Sequence, residues 1–211
     1  MIYGANRGIL IAFEGIDGTG KSTQLRLLAD YLRDQGCTVI ETREPTDGPS
    51  GRKIRKLYVD RSQCSPEEEL ELFIQDRRQH VREVIEPALA AGHIVLTDRY
   101  YFSTAAYQGA AGLDPDEVFA RNSFAPKPDL VILLTINPEV SLARIRDLRG
   151  EKLNEFEQEE QLGRVAALFD SFRDPCIKRI DAAPVLAHVQ EKIRTAVDDL
   201  LREKAYQCVS P

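Results

Sequence analysis

Four stretches of the chain, GILIAFEG, CTVIETRE, HIVLTDR and DLVILLTI, are apolar almost without interruption and too short for helices. Continuous runs rich in Ile, Val and Leu predict strands buried on both faces, as in a parallel sheet. Between most of them, apolar residues recur every three to four positions. That period predicts amphipathic helices over residues 21–35, 66–91, 102–110, 114–122, 138–147, 157–172 and 184–204. A weaker fifth strand is expected at 176–180. Strand alternating with helix means βαβ units, so the expected fold class is α/β in three layers, a five-stranded parallel sheet flanked by helices. No repeat or low-complexity block interrupts 1–211, which reads as a single domain. The densest mix of charges, about 144–161 around Gly150, predicts a short mobile lid rather than a linker.

Composition narrows the chemistry. The 211 residues are 43% hydrophobic and 29% charged, enough for one sizeable core and incompatible with disorder. A net charge of −6 denies the chain a broad basic field for nucleic acid, so any phosphate site must be focal. No run reaches the roughly 20 apolar residues of a membrane span, and the N-terminal stretch has no small-residue cleavage site; a cytoplasmic protein is expected. Cys37, Cys64, Cys176 and Cys208 form no CxxC pair and are expected to be free thiols. With three histidines besides, a soft-metal site is disfavoured and a hard cation such as Mg²⁺ remains open.

Directly after the first strand, Gly15-Ile16-Asp17-Gly18-Thr19-Gly20-Lys21-Ser22 fits G-x-x-x-x-G-K-[ST] and opens a helix at Thr23. Glycines let backbone N–H groups turn inward around a polyphosphate, the helix N-terminus adds positive potential, Lys21 reaches terminal phosphate oxygens, and the Ser22 hydroxyl can ligate Mg²⁺. Gly15, Ile16, Asp17, Gly18, Thr19, Gly20, Lys21, Ser22 and Thr23 are therefore the expected nucleoside-triphosphate-binding set, and the fold the P-loop NTPase form of the three-layer sheet. A GTPase is excluded, since there is no N-K-x-D and the D-x-x-G at Asp17–Gly20 falls inside the loop itself. An acidic pair of the transport and helicase ATPases is missing too, because HIVLT runs into Asp98-Arg99. Small phosphotransferases remain.

An acceptor that is itself a phosphate monoester, with a second pKa near ~6, needs no general base but does need cations to bring two anions together. Arginines stand at two predicted strand ends, where open α/β sheets bind ligands: Arg43, followed by Glu44, which is expected to contact substrate with it, and Arg99, preceded by Asp98. On the long helix Phe73 and Arg77 are four apart and share a face. Spacing leaves two readings there, a ring and a guanidinium for a flat base, or a phenylalanine in the core stripe of Leu70, Ile74 and Val81. Tyr100, Thr104 and Gln108 repeat every four residues as a polar stripe, open to ligand contact or to ordinary capping and interhelix bonds.

Taken in order, FEGIDGTGKSTQ, TREPTDGPSG, SPEEELELFIQDRRQH and DRYYFSTAAYQG resemble the thymidylate kinases, over about residues 9–200. The resemblance implies transfer of the γ-phosphoryl of ATP to dTMP with Mg²⁺, in a homodimer with no nucleic-acid or membrane partner. By similarity, Phe73 stacks on thymine, Arg77 bonds its carbonyl, and Thr104 and Gln108 read the remaining edge. Arg43 and Arg99 hold the acceptor phosphate, Asp17 approaches the deoxyribose hydroxyl or the metal shell, Tyr107 packs near the sugar, and Asp98 joins Ser22 at the metal. The sequence departs from the family in four places, one being a region from Phe172 to Asp181 that is shorter than the family's; the other three are single residues. Gly18 stands where one branch has an arginine; Glu155 stands where the bacterial lid has one, leaving Arg146 and Arg149 as candidates; and Thr135 replaces an aspartate at the end of the fourth strand. Another pyrimidine monophosphate, a deoxynucleoside, or a non-catalytic nucleotide-binding module are the alternatives these departures leave open.

Overall fold

The computed structural model describes residues 7–58, 64–149 and 155–208, without the side chains of 147–158. Among these residues five strands form one parallel sheet in the order β2-β3-β1-β4-β5. The strands are β1 (Ile9–Glu14), β2 (Val39–Arg43), β3 (Ile94–Asp98), β4 (Leu130–Thr135) and β5 (Ile177–Asp181). Every residue of β1 is buried, as expected of a central strand covered on both faces, whereas the edge strands β2 and β5 carry exposed positions.

Alternation along β1 divides the core. Leu10 and Ala12 face one layer, in which α3 (Pro66–His80), α5 (Tyr101–Ala110), α6 (Pro115–Arg121) and α8 (Glu155–Ser171) pack; Ile9, Ile11 and Phe13 face α1 (Lys21–Asp34) and α9 (Leu186–Glu203). Strand register aligns the strand ends that matter: Phe13 lies beside Asp98, and Asp98 beside Arg43. The C-terminal ends of β1, β2 and β3 thus form one rim.

Several boundaries differ from the sequence expectation. The single helix expected over 66–91 is α3, a π-helical turn at Val81–Ile85, and α4 (Glu86–Ala90). Pro87 has no N–H and its ring crowds the preceding turn, so the ladder widens just before it. A nine-residue helix, α2 (Pro49–Leu57), occupies what reads as loop. The stretch expected to be a lid is largely the end of α7 (Pro138–Arg149) and the start of α8, with 150–154 outside the described residues.

The free-thiol expectation is corrected for two cysteines. Cys37 and Cys208 form a disulfide across a sequence separation of 171, while Cys64 and Cys176 are free. After α9 the chain turns back beneath the strand N-termini, with Tyr206 Oη donating to Gly92 O at 2.5 Å and Lys204 pairing with Asp129 at 2.8 Å. That return brings the two thiols together, and no local spacing announces it. Among the described residues no helix is long and apolar enough to cross a membrane.

Candidate active site

The loop from Gly15 to Gly20 turns as the expected phosphate cradle requires, with three glycines in left-handed conformations. Gly15, Gly18 and Gly20 have φ of 132°, 76° and 86°, conformations that side chains resist. At Gly18 the constraint is also spatial, because an added Cβ would lie 2.8 Å from both the backbone and side-chain oxygens of Ser141 on α7. An arginine at this position would therefore push α7 off the loop. Ser141 Oγ donates to Asp17 O, tying the same helix down.

Lys21 is buried, its ammonium donating to Gly15 O at 3.0 Å and Ile16 O at 2.8 Å. Burial, and then the nearby charge of Arg99, pull its pKa down to about 8. Thr19 Oγ1 donates to Ile16 O within the loop, and Thr23 is exposed on the first turn of α1. Ser22 Oγ donates to Asp98 Oδ2, so the two candidate magnesium residues meet at the end of β3. A hydroxyl and a carboxylate in contact at the mouth of a phosphate loop are the hard oxygen donors that Mg²⁺ takes, with water and phosphate completing the shell.

A cavity of about 670 Å³ opens beside this loop. Asp17, Arg43, Phe73, Arg99, Thr104, Tyr107 and Gln108 line it, and α7 and α8 contribute Leu142, Ile145 and Leu162 on the facing wall. Arg99 bridges its polar end, donating to Asp17 Oδ1 at 2.6 Å, Ser103 Oγ at 2.8 Å and Tyr107 Oη at 3.3 Å. Arg43 is paired with Asp47 at 3.0 Å on the exposed rim. Also in the cavity lining, Gln108 is only 2% exposed, and among the described residues its Oε1 accepts no hydrogen bond. A buried acceptor left without a donor is costly and marks a place where a ligand N–H belongs.

Three residues expected to contact substrate sit elsewhere. Tyr100 is fully buried in the core, with its hydroxyl on Pro126 O at 3.2 Å. Its φ of −154° and ψ of −156° put it before α5 rather than on its face, so the four-residue stripe begins at Thr104. Arg77 and Glu44 are 1% and 5% exposed and stand behind the cavity wall. Arg77 donates to Glu44 Oε2 at 2.9 and 2.5 Å, to Asn122 Oδ1 at 2.5 Å and to Thr104 Oγ1 at 2.9 Å; His80 meets the other Glu44 oxygen at 3.0 Å. Burial pushes the Glu44 carboxyl up, but Arg77 and His80 outweigh it, and the net shift is downward. Arg77 therefore reaches the cavity through Thr104. Arg146 is exposed on α7, and the side chain of Arg149 lies outside the described residues.

Sequence reasoning passed over Glu14, Ser103 and Arg144. Glu14 ends β1 with no exposure at all, and its burial, opposed by donors from Ser103 and the charge of Arg99, pushes the carboxyl up to about 7. An acid inside an apolar strand run was the available signal. Arg144 donates to Ala182 O at 3.1 Å, joining α7 to the turn after β5 beside the phosphate loop. Thr135, the departure at the end of β4, bonds Ile180 O at 3.4 Å and faces β5.

Comparison with known proteins follows the same residues. The family described as "Thymidylate kinase" matches positions 13–193. A thymidylate kinase of Desulfotalea psychrophila is 53% identical over 197 residues, covering 93% of this chain and 98% of its own. One from Xanthomonas campestris pv. campestris strain B100 is 45% identical over 199 residues, 92% and 87% of the two chains. Another from Xanthomonas oryzae pv. oryzae strain PXO99A is 47% identical over 176 residues, 83% and 77%.

Proposed function

Because this chain belongs to the thymidylate kinase family, we propose that its cavity binds dTMP with the phosphate at Arg99 and the base at Gln108, beside ATP held by the loop from Gly15 to Thr23. The enzyme is an ATP-dependent nucleoside monophosphate kinase that phosphorylates dTMP. The observation that carries the placement of dTMP is the unpartnered Oε1 of Gln108, buried in the lining of a cavity that Arg99 also lines. A thymine or uracil ring offers an N–H at position 3 to such an acceptor, and cytosine offers a lone pair. Phe73 gives the ring an aromatic wall, and Thr104, fixed by Arg77, supplies the neighbouring polar edge.

Arg99 and Arg43 neutralise the acceptor phosphate, and the Asp17–Tyr107 side of the cavity receives the sugar. An acceptor oxygen then forms a bond to the γ-phosphorus while the bond from that phosphorus to the β,γ-bridging oxygen breaks, giving dTDP and ADP. The acceptor phosphate is mostly dianionic at neutral pH, so no protein base takes a proton. Catalysis is positioning and charge neutralisation by Lys21, Arg99 and an arginine of α7, Arg146 or Arg149. Ser22 and Asp98 are the residues that would hold Mg²⁺, which would supply charge neutralisation on the polyphosphate. Closure of 144–161 as a lid, a homodimer and a cytoplasmic setting belong to the same reading.

Phe73→Ala tests the base site. Loss of a stacking ring is expected to raise the KM for dTMP roughly tenfold or more while the KM for ATP moves under about twofold. Equal changes in both constants, with a lowered melting temperature, would return Phe73 to the core.

A further inference from the structure

Arg99 is held in an unusual way. It is one of two non-glycine residues with positive φ among those described, at 70°. A left-handed arginine is strained and persists only where its surroundings over-determine it. They do so here from both sides. Arg99 N donates to Phe13 O at 2.9 Å, and Arg99 O accepts from Thr97 Oγ1 at 2.8 Å. The next N–H, that of Tyr100, donates to Glu14 Oε1 at 2.9 Å.

Glu14 then does a second thing. The same Oε1 accepts from Ser103 N at 3.1 Å, and Oε2 accepts from the Ser103 hydroxyl. With its proton committed to Glu14, Ser103 Oγ turns a lone pair outward, and Arg99 Nη1 donates to it at 2.8 Å. One fully buried carboxylate thus fixes the backbone after Arg99 and, through one hydroxyl, the tip of its side chain.

We propose that Glu14 and Ser103 are positioning residues for the phosphoryl-transfer reaction, a carboxylate–hydroxyl relay that aims the Arg99 guanidinium at the acceptor phosphate. The proposal rests on the reading of Arg99 as the ligand of that phosphate. The relay exists because a long arginine at the end of a strand otherwise samples many rotamers, and catalysis by positioning loses rate with every misplacement. Asp17 and Tyr107 also touch this guanidinium and line the cavity with Ser103; the Ser103 hydroxyl is anchored from behind by Glu14, whereas Asp17, half exposed, and Tyr107 exchange their contacts for substrate. Glu14 is closed off from the cavity and keeps its bonds throughout.

A double-mutant cycle on the full chain tests the relay. Steady-state kcat and KM are measured for the wild type, Ser103→Ala, Arg99→Ala and the double variant, with Glu14→Gln alongside. Ser103→Ala is expected to lower kcat/KM for dTMP roughly tenfold, the size of one hydrogen bond to a charged group, with the KM for ATP within about twofold. Glu14→Gln, which places an N–H against the Ser103 hydroxyl, should repeat that pattern. In the Arg99→Ala background the Ser103 substitution should have an effect under about twofold, because its action passes through the missing guanidinium. A tenfold loss in both backgrounds would mean that Ser103 acts on substrate directly and would overturn the relay alone. Wild-type kinetics in Ser103→Ala would overturn it as well. Unchanged kinetics in Arg99→Ala would instead remove Arg99 from the acceptor phosphate, and the relay with it.

Discussion

Replacing Lys21 with alanine is expected to lower kcat by roughly a hundredfold to a thousandfold, the loss seen when one preorganised charge at a reacting oxygen is removed. Lys21 sits where the loop carbonyls of Gly15 and Ile16 hold its ammonium in place before any nucleotide arrives. Its pKa, pulled down to about 8 by burial first and by Arg99 second, reflects a charge that lacks solvent and that Asp17, Asp98 and Glu14 offset only in part. A polyphosphate supplies the missing counter-charge, so binding and charge stabilisation coincide. Folding should suffer little, because Asp17, Asp98 and Glu14, whose charges act on Lys21, keep the charge of Arg99 beside them, and the melting temperature of Lys21→Ala should stay within a few degrees of wild type. Lys21→Arg should not restore the rate, since a planar guanidinium does not fit a pocket shaped for a point charge. Stopped-flow or coupled ADP release gives the measurement; activity within about tenfold of wild type would remove Lys21 from the reacting centre.

Arg77→Ala should be the most damaging substitution for stability. Glu44, His80, Asn122 and Thr104 all bond to one another's partners through this guanidinium or its carboxylate, and the pair is almost wholly buried. Removing one member of such a pair strands a buried charge, at a cost of about 3–5 kcal/mol, or a fall in Tm of roughly 6–20 °C for a chain of this size. The pH dependence has a definite sign. Glu44 is held below its ordinary value of 4.5, so the pair's contribution is complete above about that pH and is lost as pH falls through the lower folded value. The gap in Tm between wild type and Arg77→Ala should therefore narrow on acidification. Combining Arg77→Met with Glu44→Gln should be less harmful than Arg77→Met alone, because neither charge is then orphaned. Thermal scans between neutral and acidic pH check both points, and a gap independent of pH would mean that packing rather than charge holds this corner.

How legible the molecule was follows the physics of each element. β1, β3 and β4 announce themselves because strands covered on both faces must be apolar throughout. β5 was faint because an edge strand with lysine, arginine and aspartate buries little. α2 was invisible: PSGRKIRKL starts with Pro and contains Gly, and only Gly51 and Ile54 are buried. Tyr100 was misplaced because a four-residue spacing has meaning only inside a helix, and the helix begins one residue later. Phosphate-loop glycines were legible because a local chain reversal needs them in order. Glu14, by contrast, acts through Tyr100 and Ser103, more than eighty positions away, and nothing local records the meeting. The Cys37–Cys208 pair was hidden for the same reason.

The most direct test is kcat/KM for a panel of acceptors, with ATP and Mg²⁺ constant: dTMP, dUMP, UMP, CMP, AMP and thymidine. Turnover is expected with dTMP, weaker turnover with dUMP, which keeps the N–H that Gln108 accepts, and roughly a hundredfold or greater loss with CMP, which presents an acceptor instead. Thymidine should fail because Arg99 and Arg43 have no phosphate to hold. Comparable rates with CMP and dTMP, or phosphorylation of thymidine, would contradict the placement of the base at Gln108 and of the acceptor phosphate at Arg99.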